Sequence, residues 1–499
     1  MKYLLSLILL CSSLIGFGQS KVEILGAQEL TGIKKGGKEF QKLVGNVRFK
    51  QENATMRCDS AFLDKADNSF EAFGNVQINE NDSLFLYSSY LNYKGNEKKA
   101  YVRDNVRLTD GEMNLTTEQL DYDLKSRIAY YTVGGHIVNG DNILDSRIGT
   151  YDANSKVFGF KKNVVLTNPD YVLKSDTLLY NSLSKVAYFF GPTTIQGEDG
   201  FIYCENGWYH TYSKRARFSR NAYVINAEYY LKADSLMYGG DYGIDTAIKN
   251  VFLRDSVNNT VLTGHYGIYN RNTSSAMVTQ MPLVSVASDD DSLHIAGDTL
   301  LSISDSSKQK SIFAYRNVRM FRQDMQGLCD SMHYSQVDSM IYMEGAPLLW
   351  NERQQMKADS IRMRVIESSI EKAWFNQNAI VVQDADSPLF NQLQGNAITA
   401  WFENKKIQVV LVEGNAENIH FQEDDSVTLS SMNKVACSSI RIVMDTAGKP
   451  EEINYMKEPK GTNYPIDQLP AESEQRLRNF IWLEHLRPKS KADLHPQKP

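Results

Sequence analysis

Apolar and polar residues alternate over short runs through most of this chain, and each run ends in a polar turn. Ser175-Asp176-Thr177-Leu178-Leu179-Tyr180 is one such run; Asn181-Ser182-Leu183-Ser184 makes the turn, and Lys185-Val186-Ala187-Tyr188 starts back. Period-two alternation puts Leu178 and Tyr180 on one face of a strand. The unit recurs. Tyr93, Tyr122, Tyr151, Tyr180, Tyr209 and Tyr238 follow one another at steps of 29 residues. Five places after the first five tyrosines stands a base (Lys98, Arg127, Lys156, Lys185, Lys214), and the sixth place holds Gly243. A fixed period in this range is the signature of a repeat architecture.

Two further columns shape the expected fold. Asn105, Asn163, Asn221 and Asn250, with Pro192 at the equivalent place, interrupt the second strand of each unit and predict a bend or bulge. Each long strand is therefore expected to fold over into a second layer. Just before the first strand's polar opening, Cys58, Cys204, Cys329 and Cys437 share a position with Ser88, Thr117, Ser146, Ser175, Ala233, Gly264, Gly297, Ala358 and Gly395. All are small, so cysteine there acts as a small hydrophobe, and thiols so far apart along a stack are expected to stay free.

Around 284–311 the pattern opens into a Ser/Asp-rich stretch that reads as a surface loop or linker, and Ala471 to Leu486 has a short helical look. The expected organisation is a signal peptide over 1–19, a first array of β repeats over 20–284, a linker over 285–311, a second array over 312–466, and a short helix with a basic tail over 467–499. About thirteen hairpin units result, too many for a closed barrel and suited to an elongated all-β stack.

Composition and charge narrow the function. The leader (Met1-Lys2-Tyr3, an apolar run from Leu4 to Ile15, then Gly16-Phe17-Gly18) describes an export signal. A net charge of -6 argues against nucleic acid as the main partner. No nucleophile elbow, phosphate-binding loop or paired metal motif occurs, and neither metal nor cofactor is expected. The recurrent acids Asp59, Asp176, Asp234, Asp298, Asp330 and Asp359 are expected to bond their own backbone at strand openings rather than to form a calcium ladder. The tyrosine column reads first as core packing, and the basic column as solvated side chains beside turns; a line of cations meeting an anionic ligand is the sharper alternative.

Gly74-Asn75-Val76, Val412-Glu413-Gly414-Asn415-Ala416 and the Ala-Asp-Ser or Cys-Asp-Ser strand openings resemble the OstA/LptA family, and the long form with its Ser/Asp-rich interruption is similar to OstA-like proteins of Bacteroidota. The resemblance spans roughly Val22 to Pro465. It implies a twisted β-jelly-roll whose apolar interior shields the acyl chains of lipopolysaccharide in the periplasm, without catalysis. It also implies edge-strand pairing with other lipopolysaccharide-transport components or head-to-tail self-association. On that reading Leu91, Leu120, Leu178, Leu236, Tyr122 and Tyr180 line the lipid groove. The chain departs from the family in its greater length and in lacking a carboxy-terminal membrane barrel. A structural or adhesive β-solenoid, or a polysaccharide-binding or cleaving one, is the alternative.

Overall fold

The structure is a computed structural model that describes residues 21–198, 200–257, 259–287, 292–304, 309–366, 369–404, 406–423, 428–445 and 449–495. The expected signal peptide lies outside the described residues. Two compact units form, one from residues up to 198 with 205–212, the other from 199–204 with 213 onward. The division does not fall at the expected 284–311 linker. That stretch is largely strand: Leu283–Ala287 pairs with Ser292–Ala296, and Thr299–Ser304 pairs with Lys310–Phe321. Serine at alternate places satisfies a strand's polar face as well as it does a loop. Residues 288–291 and 305–308 of the same stretch lie outside the described set.

In the first unit, successive antiparallel strands pair in chain order, for example Lys38–Gln51 with Ala54–Asp64, then Ser69–Glu80, then Leu84–Lys94. Each pair carries one register break, as between Phe73 and Val76. At that break two successive residues take positive φ: Gly74 (73°) and Asn75 (45°), Asp104 (61°) and Asn105 (53°), Lys162 (63°) and Asn163 (54°). Asn tolerates the left-handed region better than other side chains, which explains the asparagine column. The strand turns a corner there, and its halves become the lower and upper walls of an interior. Phe49 above a corner stacks on Phe70 below one, ring centroids 4.3 Å apart. The expected second layer is present.

The second unit repeats the design, with corner pairs at Arg220 and Asn221, Lys249 and Asn250, Arg316 and Asn317, Gln377 and Asn378, and Gly414 and Asn415. Its core holds Val318, Met343, Ile361, Met363, Phe375, Ile398, Val412 and Ile440.

Among the described residues, three internal rungs depart from continuous strands. Over 128–152, 275–304 and 340–366 both strands break at the corner, so that separate short hairpins serve each wall; Gly135–Asn139 with Asn142–Ser146, and Ile128–Tyr131 with Ile148–Asp152, are the first case. The 29-residue step survives this interruption.

The expected terminal helix is absent among the described residues. Residues 466–495 run as extended chain with short 3-10 turns at Ile466–Gln468, Glu472–Gln475, Glu484–Leu486 and Lys491–Leu494. Beside the bonds within those turns, several of their backbone groups bond glutamines of the second unit. Gln392 donates to Gln475 O (2.8 Å) and accepts from Leu477 N (2.8 Å); Gln394 accepts from Asn479 N (3.2 Å); Gln355 donates to Ile481 O (2.7 Å) and accepts from Leu483 N (2.7 Å).

Candidate functional site

The basic column occupies the left-handed position of each hairpin turn: φ is 55° at Lys98, 60° at Arg127, 58° at Lys156, 60° at Lys185 and 55° at Lys214. Gly243 (φ 70°) fits the sixth place for the same backbone reason. The carbonyl of the left-handed residue accepts from the next turn at Lys98, Arg127, Lys156 and Lys185, as in Leu124 N to Lys98 O (2.9 Å) and Ala153 N to Arg127 O (3.0 Å). Stacking the turns thus sets the column. Within a rung the base also reaches its tyrosine: Lys156 Nζ donates to Tyr151 OH at 3.2 Å.

The tyrosines stand at the mouth of the interior, where the walls come apart. In the first unit, Tyr93 OH bonds Gln51 and Tyr122 OH bonds Glu80, each pair joining lower to upper wall. Arg127 Nε lies 2.9 Å from Glu80 and completes the second latch. Tyr93, Tyr122 and Tyr151 are buried, at 1%, 3% and 3% exposure. Burial pushes the Tyr93 and Tyr122 phenols well above their ordinary range, helped at Tyr122 by the Glu80 carboxylate. Further along the same unit the mouth loosens. Tyr180 and Tyr209 are half-buried, as are the inward-facing Leu166, Tyr171 and Ile195. Tyr171 and Tyr209 meet ring edge to ring face at 6.4 Å.

In the second unit the corresponding tyrosines are open: Tyr238 is 38% and Tyr269 44% exposed. Arg271 lies over the Tyr238 ring (4.2 Å) and bonds its hydroxyl (2.6 Å). Behind them an upper-wall row of Val224, Leu231, Leu253, Leu262, Val284 and Ile295 is half-buried and faces inward. The opposing row is small at Ala247 and Gly267, both buried. These apolar side chains are left half-covered between the two walls, and Leu262, Val284 and Ile295 pack against the unit's core. Late in the unit a latch returns, with Asn418 Nδ2 donating to Tyr455 OH at 3.0 Å.

The positions chosen from sequence divide along this gradient. Leu91, Leu120, Leu178, Leu236 and Tyr122 are buried deep between the walls, and Tyr180 is half-buried at the loosened mouth. All six face inward. Periodicity found the face but missed the latch partners: Gln51 and Glu80 precede their tyrosines by 42 residues, and that offset was the signal available.

Four of the six recurrent acids bond corner asparagines rather than their own backbone. Asn75 donates to Asp59 (2.8 Å), Asn250 to Asp234 (3.0 Å), Asn317 to Asp298 (3.0 Å) and Asn378 to Asp359 (2.9 Å). Each such bracket ties a corner to the strand beside it. The small column lies buried at the corner, where Ser88, Ser146 and Ser175 hydroxyls donate to carbonyls two residues on. Cys58, Cys204, Cys329 and Cys437 form no disulfide. Burial pushes the Cys58 and Cys329 thiols up to about 12. Among the described residues no cluster of His, Cys, Asp or Glu could hold a metal ion, and no helix is long and apolar enough to cross a membrane.

On the outside of the first unit, a cleft of about 840 Å³ opens at the corner of the interrupted rung, lined by Arg107, Thr116, His136, Asp145, Arg147 and Asn163 among others. His136 Nδ1 lies 2.8 Å from Asp145 Oδ1, and the Arg107 guanidinium covers the Tyr87 ring at 4.4 Å.

These features define an all-β repeat protein whose strands fold over an apolar interior, latched in some rungs and open in others. Residues 19–176 and 172–234 match the profile of a family described as OstA-like protein. Through this stretch the chain belongs to the OstA-like family, and the same corner motif continues beyond residue 234, at Lys249–Asn250, Arg316–Asn317 and Gln377–Asn378. No curated protein matches the chain.

Proposed function

We propose that this protein carries lipopolysaccharide through the periplasm by housing its acyl chains in the open stretches of each unit's interior. OstA-like membership associates the chain with lipid transport of the lipopolysaccharide type and with a groove built from β-strands. The observation that carries the finer reading is the half-buried, inward-facing apolar row Val224, Leu231, Leu253, Leu262, Val284 and Ile295, with Tyr238 and Tyr269 standing open at its mouth. A hydrocarbon chain entering there gains about 0.8 kcal/mol for each methylene buried. The lining offers no nucleophile, metal or paired acid, so the role is a route rather than a reaction. Partners are other lipopolysaccharide-transport components, reached through edge strands such as Glu29–Lys35 and Lys460–Pro465.

Of the six positions named from sequence, Leu178, Tyr180 and Leu236 belong to rungs where lipid enters. Leu91, Leu120 and Tyr122 lie beneath or within latches and meet lipid only when those part. Photo-crosslinking side chains at Leu231, Leu262 and Leu236 should trap lipopolysaccharide in cells, while the outward position Asp176 should not. Labelling at Asp176 alone, or none at any inward site, would replace this reading with a structural β-solenoid. The side-chain-filled interior near Leu43, Phe49 and Leu63 is what favours that second reading.

A further inference from the structure

We propose that the outer corner cleft of the first unit binds a saccharide bearing an anionic group, with Arg147 and Arg107 on the anion and His136, Thr116 and Asn163 on hydroxyls. The inference rests on where this rung breaks the repeat. In four other places an acid holds the asparagine one or two strands on: Asp59 and Asn75, Asp234 and Asn250, Asp298 and Asn317, Asp359 and Asn378. The first and second of these pairs are sixteen residues apart. Sixteen after Glu118 stands Gly134, and sixteen before Asn163 stands Arg147. Two successive brackets are therefore lost, one through the asparagine and one through the acid.

Interruption of the strands does not by itself cause the loss at the acid. The rungs over 275–304 and 340–366 are interrupted in the same way, yet keep Asp298 and Asp359 bonded to Asn317 and Asn378. Only here, among the three, does a guanidinium replace the carboxylate. Arg147 turns its Nη1 to Val133 O (3.1 Å), and Gly134 takes a φ of 115°, which an L side chain rarely adopts. Thr117 Oγ1 fastens the displaced chain by donating to Gly134 O at 2.6 Å. The result is the cleft of about 840 Å³, within the range of small-ligand sites.

Its walls are the chemistry a sugar needs. Planar polar groups (His136, Asp145, Asn163, Arg147) and the Thr116 hydroxyl present donors and acceptors at many angles. Two guanidiniums suit the paired oxygens of a phosphate or carboxylate. This deepens the lipid reading: a ligand whose acyl chains lie inside the walls carries its sugars outside them.

The test uses no acyl chain, so it fails independently of the groove. The full mature chain is titrated, by calorimetry, with a phosphorylated oligosaccharide obtained by fully deacylating lipopolysaccharide. Arg147→Asp gives this rung the residue that the other interrupted rungs carry and should fold at least as well, as checked by thermal unfolding. It should bind the oligosaccharide at least about tenfold more weakly, the loss expected for a charge-assisted contact. His136→Ala should weaken binding as well, and the dephosphorylated oligosaccharide should bind about tenfold more weakly to the unaltered chain. Inorganic phosphate binding as tightly would reduce the cleft to an anion site and overturn the proposal. So would unchanged affinity in folded Arg147→Asp, or no binding by the unaltered chain. If lipid crosslinks still form at Leu262 in that last case, only the cleft assignment falls.

Discussion

Asparagine at the corners and lysine at the turns answer the same demand, a left-handed backbone at a fixed place in every rung. At the corner the side chain matters too, because its amide reaches the neighbouring acid; at the turn the base is free to lean on the tyrosine beside it. The small column follows from space rather than conformation. A Cβ at Gly395 would come within 2.4 Å of Val412 Cγ1, and one at Gly264 within 2.5 Å of Val278 Cγ1. Where the column has room for a cysteine, Cys58 and Cys329 lie buried, and the consequence appears at alkaline pH. Burial raises Cys58 and Cys329 from 9.0 to about 12, and Tyr131 and Tyr171 from 10.0 to about 12. A folded-state pKa raised in this way means the native state holds protons that the unfolded chain releases. Stability is therefore full below about pH 9 and is lost as pH rises from there towards 12. The urea midpoint should fall steadily over that window, and the native thiols should resist alkylation at pH 8. A midpoint unchanged between pH 9 and 12 would contradict the burial of these groups.

The element whose form differs most from expectation is the segment over 466–495. Leu477, Phe480, Ile481 and Leu483 suggest one stripe of a helix, yet each is placed by a different partner. Leu477 packs with Ile419, Phe421 and Met432, whereas Phe480 and Trp482 pack with Ile380, Val382 and Phe390. Asn418 and Val381 face the interior on the same strands, so these contacts lie on the outer face of the upper wall. Gln326, Gln355, Gln392 and Gln394 are buried there, at 3%, 1%, 1% and 5% exposure, because the segment covers them. The amides of Gln355, Gln392 and Gln394 satisfy backbone groups that a helix would have paired internally. Gln355→Leu removes both bonds to 481–483 and leaves a buried carbonyl and a buried N–H without partners. The expected loss is about 2–3 kcal/mol, seen as faster amide exchange at Leu483 and earlier proteolysis within 466–495. Unaltered exchange there would show that packing alone holds the segment.

At the scale of the molecule, each unit is one design carried through rungs whose mouths differ. The walls are similar throughout, and what changes is whether a polar side chain on one wall can reach a tyrosine on the other. Tyr122→Phe breaks the bond to Glu80 and leaves that carboxylate with Arg127 alone. The first unit should lose about 1–2 kcal/mol of stability, and a photo-crosslinker at Leu120, silent in the unaltered chain, should begin to capture lipopolysaccharide. Capture at Leu120 with Tyr122 intact would mean the latch is not what excludes lipid there.

The columns at period 29 were legible as they stood, because a repeat writes the same local demand many times over: inward Leu and Tyr, corner Asn, small residue, turn base. These determined the strands, the corner in each strand, the interior face and, through their resemblance to one family, the class of protein. The strands found within 284–311, the extended 466–495 segment and the bracket between acid and asparagine were not legible, since each depends on a partner in another rung. The degree of opening was the least legible property of all. Tyr93 and Tyr238 hold the same place in the repeat, yet one is 1% exposed and the other 38%. Only the tertiary structure decides which tyrosine finds an acceptor across the mouth, because that depends on a distance between walls that no single rung encodes.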